Sequence, residues 1–153
     1  MAAPRRRPLQ TRFRSPGESP GFLLWLVTNS WQRQLRAALD PLDLTHVQFV
    51  LLASLAWLSR DGDAVTQARL AQHAKTDVMM TSQVVRALER KGFLFRGPYP
   101  ADRRARRLQV TSKGLRLANT ALRLVERADA EFFGAVGRDL PRLVALLRAL
   151  SRR

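Results

Sequence analysis

The feature that most constrains this chain is one change of period at Gly92. From residue 21 to residue 91 apolar residues recur every three or four positions, the mark of helices that bury one face. After Gly92 the run Phe93-Leu94-Phe95-Arg96 reads as a short strand, Gly97-Pro98-Tyr99-Pro100 as a turn, and Arg107-Leu108-Gln109-Val110 as the returning strand. Helical spacing resumes at residue 111 and holds to the end. A parallel α/β sheet needs strands alternating with helices, and a sandwich needs many strands. A lone hairpin set among helices permits neither, so the core must be helical and the fold mainly α with a small β-hairpin.

The helical segments divide at clear signals. Leu23, Leu26, Val27, Ser30 or Trp31, and Leu35 carry the first, which ends at Leu39 before Asp40-Pro41. Thr45 is placed to cap a second through Leu58, and Arg60-Asp61-Gly62-Asp63 is a turn. Thr66 opens a short third helix with Leu70 and Ala71 inward; position 69 is Arg, so no acid completes a capping box there. A fourth runs from about Asp77 to Lys91 on Val84, Val85 and Leu88, with Gly92 as its left-handed terminator. Thr111 caps a long helix whose stripe includes Ala118, Ala121, Leu122, Val125, Ala128, Phe132 and Val136. Such a rod would approach ~40 Å, more than a single-chain core of this size requires. Asp139 is placed to cap a last helix bearing Leu140, Leu143, Val144, Leu147 and Leu150.

Charge narrows the partner. The 153 residues hold 27 Lys+Arg against 12 Asp+Glu, a net +15, which calls for a polyanion to offset self-repulsion. Residues 77–107 carry eight basic and three acidic side chains, whereas residues 21–76 carry five and four, so the surplus sits on the fourth helix and the hairpin. Residues 1–20 are rich in Arg and Pro with little to bury and read as a disordered basic arm, either reaching nucleic acid or merely adding charge. They form no signal peptide, and Phe22 to Val27 is too short to span a bilayer, so the chain reads as soluble without a membrane partner.

Helix, helix, short helix, capped helix and basic hairpin follow one another as in a winged helix-turn-helix. A helix fits the ~12 Å major groove of B-DNA, where each base pair shows its own donor and acceptor pattern. The pieces Leu44-Thr45-His46-Val47-Gln48-Phe49, Leu70-Ala71, Leu88-Glu89-Arg90-Lys91-Gly92, Asp102-Arg103-Arg104 and Val110-Thr111-Ser112-Lys113-Gly114, in this order, resemble the MarR family of bacterial transcription regulators. The resemblance covers about residues 21–150. It implies an intertwined helical homodimer built from residues 21–44 and 111–153, carrying a winged helix-turn-helix over residues 45–110. It also implies a bacterial cytoplasmic protein that sits on the nucleoid when bound. A two-fold body reads a pseudo-palindrome with half-sites about one helical turn apart.

On the reading helix the candidates are Val78, Met79, Met80, Ser82, Gln83 and Arg86. Ser82 and Gln83 can exchange hydrogen bonds with base edges, and Arg86 can reach guanine or a phosphate. Met79 and Met80 admit two roles, pressing on thymine methyls or filling the contact with the preceding helix. Thr76 and Asp77 read as caps first, with Thr76 a possible donor to phosphate. In the hairpin, the resemblance implies that Asp102 orients the Arg104 guanidinium in the minor groove; Arg103, Arg106 and Arg107 would touch phosphates or steady the strands.

Other chemistries find little. Without cysteine there is no disulfide, thiolate metal site or cysteine nucleophile. His46 and His73 stand 27 positions apart with no ligand cluster, so no metal or other cofactor is expected. No nucleophile elbow, phosphate-binding loop or carboxylate pair marks an enzyme. The resemblance implies a small aromatic or anionic effector near the first two helices, where Trp25, Trp31, Phe49 and Trp57 are as readily packing as pocket. Three functions remain: a ligand-responsive repressor binding its operator as a homodimer, a weakly specific architectural DNA binder, or a helical scaffold using its wings for protein contacts.

Overall fold

A computed structural model of the chain describes residues 9–152. The Arg5-Arg6-Arg7 run of the expected arm lies outside the described residues. Within the rest of that arm Pro16–Glu18 forms a 3-10 turn, and Ser19 then caps the first helix by accepting from the Phe22 amide.

Six helices and three strands follow: α1 Pro20–Leu39, α2 His46–Leu58, β1 Val65–Thr66, α3 Gln67–Ala74, α4 Val78–Arg90, β2 Leu94–Pro98, β3 Arg106–Val110, α5 Ser112–Phe133 and α6 Leu140–Ser151. The antiparallel sheet is ordered β1-β3-β2, with Val65 opposite Leu108 and Arg96 also opposite Leu108 across the other edge. Thr45 caps α2 in a reciprocal box with Gln48, and Thr66 caps α3 through the Arg69 amide.

The core joins the C-terminal half of α1 (Leu35, Leu39) to Leu51, Leu52 and Leu55 of α2, Leu70 of α3, Val85 and Leu88 of α4, and Leu94 and Leu108 of the sheet. Each buried leucine contributes about 1.5–3 kcal/mol against exposure. The face α5 presents is Gly114, Ala118, Ala121, Val125 and Ala128, small residues that let α1 and α2 lie close. Leu122 falls off this stripe and is exposed.

Four expectations change. Strand β1 has only two residues, too few to show a period, and the sequence pattern does not reveal it. The hairpin is longer than predicted, because β2 continues through Gly97 and Pro98. Proline is tolerated there since β2 is the sheet edge and Pro98 its last residue, where no ladder donor is missed. Helix α5 stops at Phe133, not Val136, so it spans roughly 33 Å at ~1.5 Å per residue. Gly137, at φ 57° and ψ −128°, breaks the helical path in the 3-10 segment Gly134–Asp139. Asp139 precedes α6 without a side-chain cap.

The N-terminal half of α1 and all of α6 contain no buried residue. No single helix among the described residues is long and apolar enough to cross a membrane.

Candidate nucleic-acid interface

The turn before α4 is set by its polar residues. Lys75 closes α3 in the left-handed region (φ 51°), and its ammonium donates to the Ser151 carbonyl at the end of α6. Asp77 caps α4 by accepting from the Met80 amide at 2.8 Å. Thr81 is fully buried in the same turn, and its hydroxyl donates to the Asp77 carbonyl at 2.8 Å. The Thr76 hydroxyl, 2.7 Å from that of Thr81, must therefore donate to it. Its amide is engaged as well, with the Ala71 carbonyl. Thr76 thus braces the turn; of the two residues expected as caps Asp77 is the one that caps α4, and the Thr76 hydroxyl proton, expected as a second choice to serve a phosphate, is engaged by Thr81.

With Thr81, Val84, Val85 and Leu88 turned inward, α4 shows the opposite face to solvent. Met79, Gln83, Arg86 and Arg90 fall at steps of four, three and four, so they form one exposed stripe. Met79 is 71% exposed and Met80 42%, so Met79 does not fill the contact with α3. Ser82 is half-buried on the side facing the hairpin. Arg90 lengthens the stripe beyond the residues named from sequence.

The hairpin tip, residues 99–105, is two successive turns closed by Asp102 N–H to Tyr99 and Ala105 N–H to Asp102, both 3.1 Å. The Asp102 carboxylate accepts from the Arg104 amide at 2.9 Å. It fixes the backbone under Arg104 and not the guanidinium, which differs from the orienting role the resemblance implied. Arg103, Arg104 and Arg106 are exposed, and like Arg86 and Arg90 they have no carboxylate within 4.0 Å among the described residues. Arg107 lies half-buried in the sheet opposite Thr66, so it steadies the hairpin and does not join the tip.

Between α3, α4 and the hairpin lies a cleft of about 320 Å³, with Arg86, Arg96, Arg104 and Arg106 among its lining residues. Arg96 is not among the sequence candidates, though a signal exists. Strand alternation puts it on the same face as buried Leu94, and an inward-facing arginine needs a partner. Its partner is Glu89 on α4, Nε to Oε2 3.0 Å.

The aromatics proposed near an effector have separate environments. Phe49 is core, Trp25 is exposed, and Trp57 is exposed with Arg60 stacked at 4.0 Å. The Trp31 indole N–H donates to Asp129 at 2.7 Å. Among the described residues no three metal-ligating side chains converge.

A family model for the MarR family matches residues 44–105, which is α2 through the tip of the hairpin. Over 125 residues the chain is 48% identical to YdcH of Bacillus subtilis (strain 168), an uncharacterized HTH-type transcriptional regulator, covering 82% of this chain and 85% of that protein. The chain belongs to the MarR family. Its MarR fold agrees with that of a mutant Escherichia coli MarR complexed with operator DNA, at TM-score 0.75 and 26% identity over 85% of this chain and 91% of the other. BpsR of Bordetella bronchiseptica, whose DNA binding is regulated by 6-hydroxynicotinic acid, matches at TM-score 0.81 and 25% identity, covering 90% and 96%. In this MarR-family transcriptional regulator, then, α3 and α4 are the helix-turn-helix of the winged fold and the hairpin is its wing.

Proposed function

We propose that the protein is a homodimeric repressor that holds a pseudo-palindromic operator and lets it go when a small aromatic or anionic effector binds. The observation that carries this reading is the exposed stripe Met79–Gln83–Arg86–Arg90 beside a wing on which Arg103, Arg104 and Arg106 have no carboxylate partner among the described residues. In it Gln83, Ser82 and the methionines read base edges, Arg86 reaches guanine or phosphate, and Arg103, Arg104 and Arg106 enter or border the minor groove. Two chains are needed because the apolar faces of α1 and α6 are open in one. Its place of action is the bacterial cytoplasm, at the nucleoid.

The effector reading is supported by BpsR and by the linkage rule: a ligand that prefers a lobe spacing the operator does not fit weakens DNA binding by the same coupling energy.

Selection of binding sites from random duplexes with purified protein, followed by footprinting, tests the proposal. A symmetric protected stretch with half-site centres about 10 bp apart is expected. Affinity that falls steeply with salt but prefers no sequence would instead mark a charge-driven architectural binder, which the net +15 alone would also produce.

A further inference from the structure

Four arginines and no carboxylate line the cleft between α4 and the wing. Arg86 comes from the helix, Arg104 and Arg106 from the wing, and Arg96 from β2 between them. Glu89 neutralises only Arg96. Side-chain exposures of 29% for Arg96 and 31% for Glu89 place this pair deeper than the solvent-facing cations around it. The contact uses the Arg96 Nε alone. Both Nη groups have no hydrogen-bond partner among the described residues, so Glu89 holds the guanidinium plane while its outer edge stays available.

We infer that Arg96 is a DNA ligand, and that with Arg86 and Arg104 it clasps one phosphodiester at the seam between reading helix and wing. This rests on the DNA-binding reading above and goes one residue and one contact beyond it. Duplex geometry supplies the occupant. The sugar–phosphate backbone is the wall between major and minor grooves, so a helix in one and a hairpin in the next must straddle it. The cleft is where the straddled strand passes. A guanidinium fork matches two phosphate oxygens where an ammonium offers a point charge. The bond to Glu89 removes the search over side-chain rotamers that a surface arginine makes before binding. It also ties the last turn of α4 to β2, so the contact forms only when helix and wing stand at the right angle. Arg96 is therefore at once a ligand and a gauge of wing position.

The test uses the full-length protein on its selected site and on a random duplex, with methylphosphonate substituted for one phosphate at a time. Arg96→Gln is expected to weaken both duplexes by the same factor, about tenfold, and to lower the salt slope by about one. One phosphate per half-site, when neutralised, should cost the wild type more than Arg96→Gln, in which Arg86 and Arg104 still reach it. The double variant Glu89→Gln/Arg96→Met strands no carboxylate and guards against a folding defect; its loss at that phosphate should be reduced in the same way. If every neutralised phosphate costs the variants what it costs the wild type, Arg96 is a strut within the protein and the inference is wrong. If the wild type holds no duplex above the level set by charge, the DNA-reading proposal fails first, and the two failures are told apart.

Discussion

Gly114 leaves no room for a methyl group. A Cβ there would sit 1.9 Å from the Phe93 carbonyl oxygen and 2.8 Å from its carbon, both backbone atoms, so α5 would have to back away from the base of the wing. That contact is fixed further by Thr111, whose hydroxyl donates to the Gly92 carbonyl at 2.7 Å, and whose amide donates to Phe93. Gly114→Ala should cost about 3 kcal/mol in urea unfolding, at the upper end for overpacking. Gly134→Ala, with open space and an ordinary φ, should change stability by less than about 1 kcal/mol. On the reading face, Gln83→Ala should lose about 1–3 kcal/mol on the selected operator and relax one base position, with little change on random DNA. Arg104→Ala should weaken every duplex alike and lower the salt slope by about one. Equal losses from both variants on both duplexes would remove the distinction between reading and anchoring. The caps Thr45, Thr66 and Thr111 and the basic tip are legible in sequence because each depends on neighbours three or four residues away, whereas Asp139 does not cap and the turn expected at 97–100 begins only after Pro98. The roles of Thr76 and Arg96 are not legible. The partner that defines Thr76 (Thr81) is local, but its role is set by a hydroxyl's single proton; the partner of Arg96 arises only when strand meets helix.

Among the elements, the junction of α1, α2 and α5 is where the winged core meets the long helices, and it contains a histidine. His46 opens α2, half-buried, its ring edge-on to Trp31 at 5.2 Å between centroids. Trp31 in turn is bonded to Asp129 of α5, and Gln34 donates to the Ala128 carbonyl at 3.2 Å. Burial pushes the His46 pKa below its ordinary 6.5; Asp129 pulls it up by less, and Arg36 lowers it further. The sign follows directly. The unfolded chain takes up this proton near pH 6.5, while the folded chain resists it, so the contribution is whole above pH 6.5 and is lost as pH falls toward the lowered folded value. Urea midpoints should drop between about pH 7 and about pH 5.5 by more in the wild type than in His46→Phe, which keeps an aromatic edge and cannot titrate. Parallel pH profiles would show that His46 is not coupled to folding. The sequence shows each of these helices, yet presents both Trp31 and His46 as isolated residues. Their positions are 15 apart, and His46 is 83 from Asp129, beyond the reach of any helical period. The short β1 strand escapes for a related reason, since two residues have no pattern until β3 lies beside them.

For the whole molecule the question is what covers α6. The helix has twelve residues and none is buried, yet Leu140, Val144, Leu146, Leu147 and Leu150 are large and apolar. With Leu23, Leu24 and Val27 of α1 and Phe133 of α5 it borders an open groove of about 680 Å³. Apolar surface of this extent is rarely left to water and marks an interaction site, even though the net +15 opposes pairing of like chains. On the homodimer proposed above, a second copy covers this groove and sets two copies of α4 on one face, doubling the charge that DNA then offsets. The amphipathic stripe of residues 140–150 makes this legible before any coordinates; the groove that receives it is not, being assembled from three separate helices. The winged core, by contrast, lies in Leu35 through Ala128 and does not depend on α6. Leu147→Asp, at a position 41% exposed, should therefore leave the far-UV spectrum and the buried core intact while shifting sedimentation from dimer to monomer. Affinity for the two-half-site operator should then collapse toward that of a single half-site, with half-site binding itself unchanged. A variant that sediments as a dimer, or a monomer that grips the full operator as tightly as the wild type, would show that the groove serves something other than pairing.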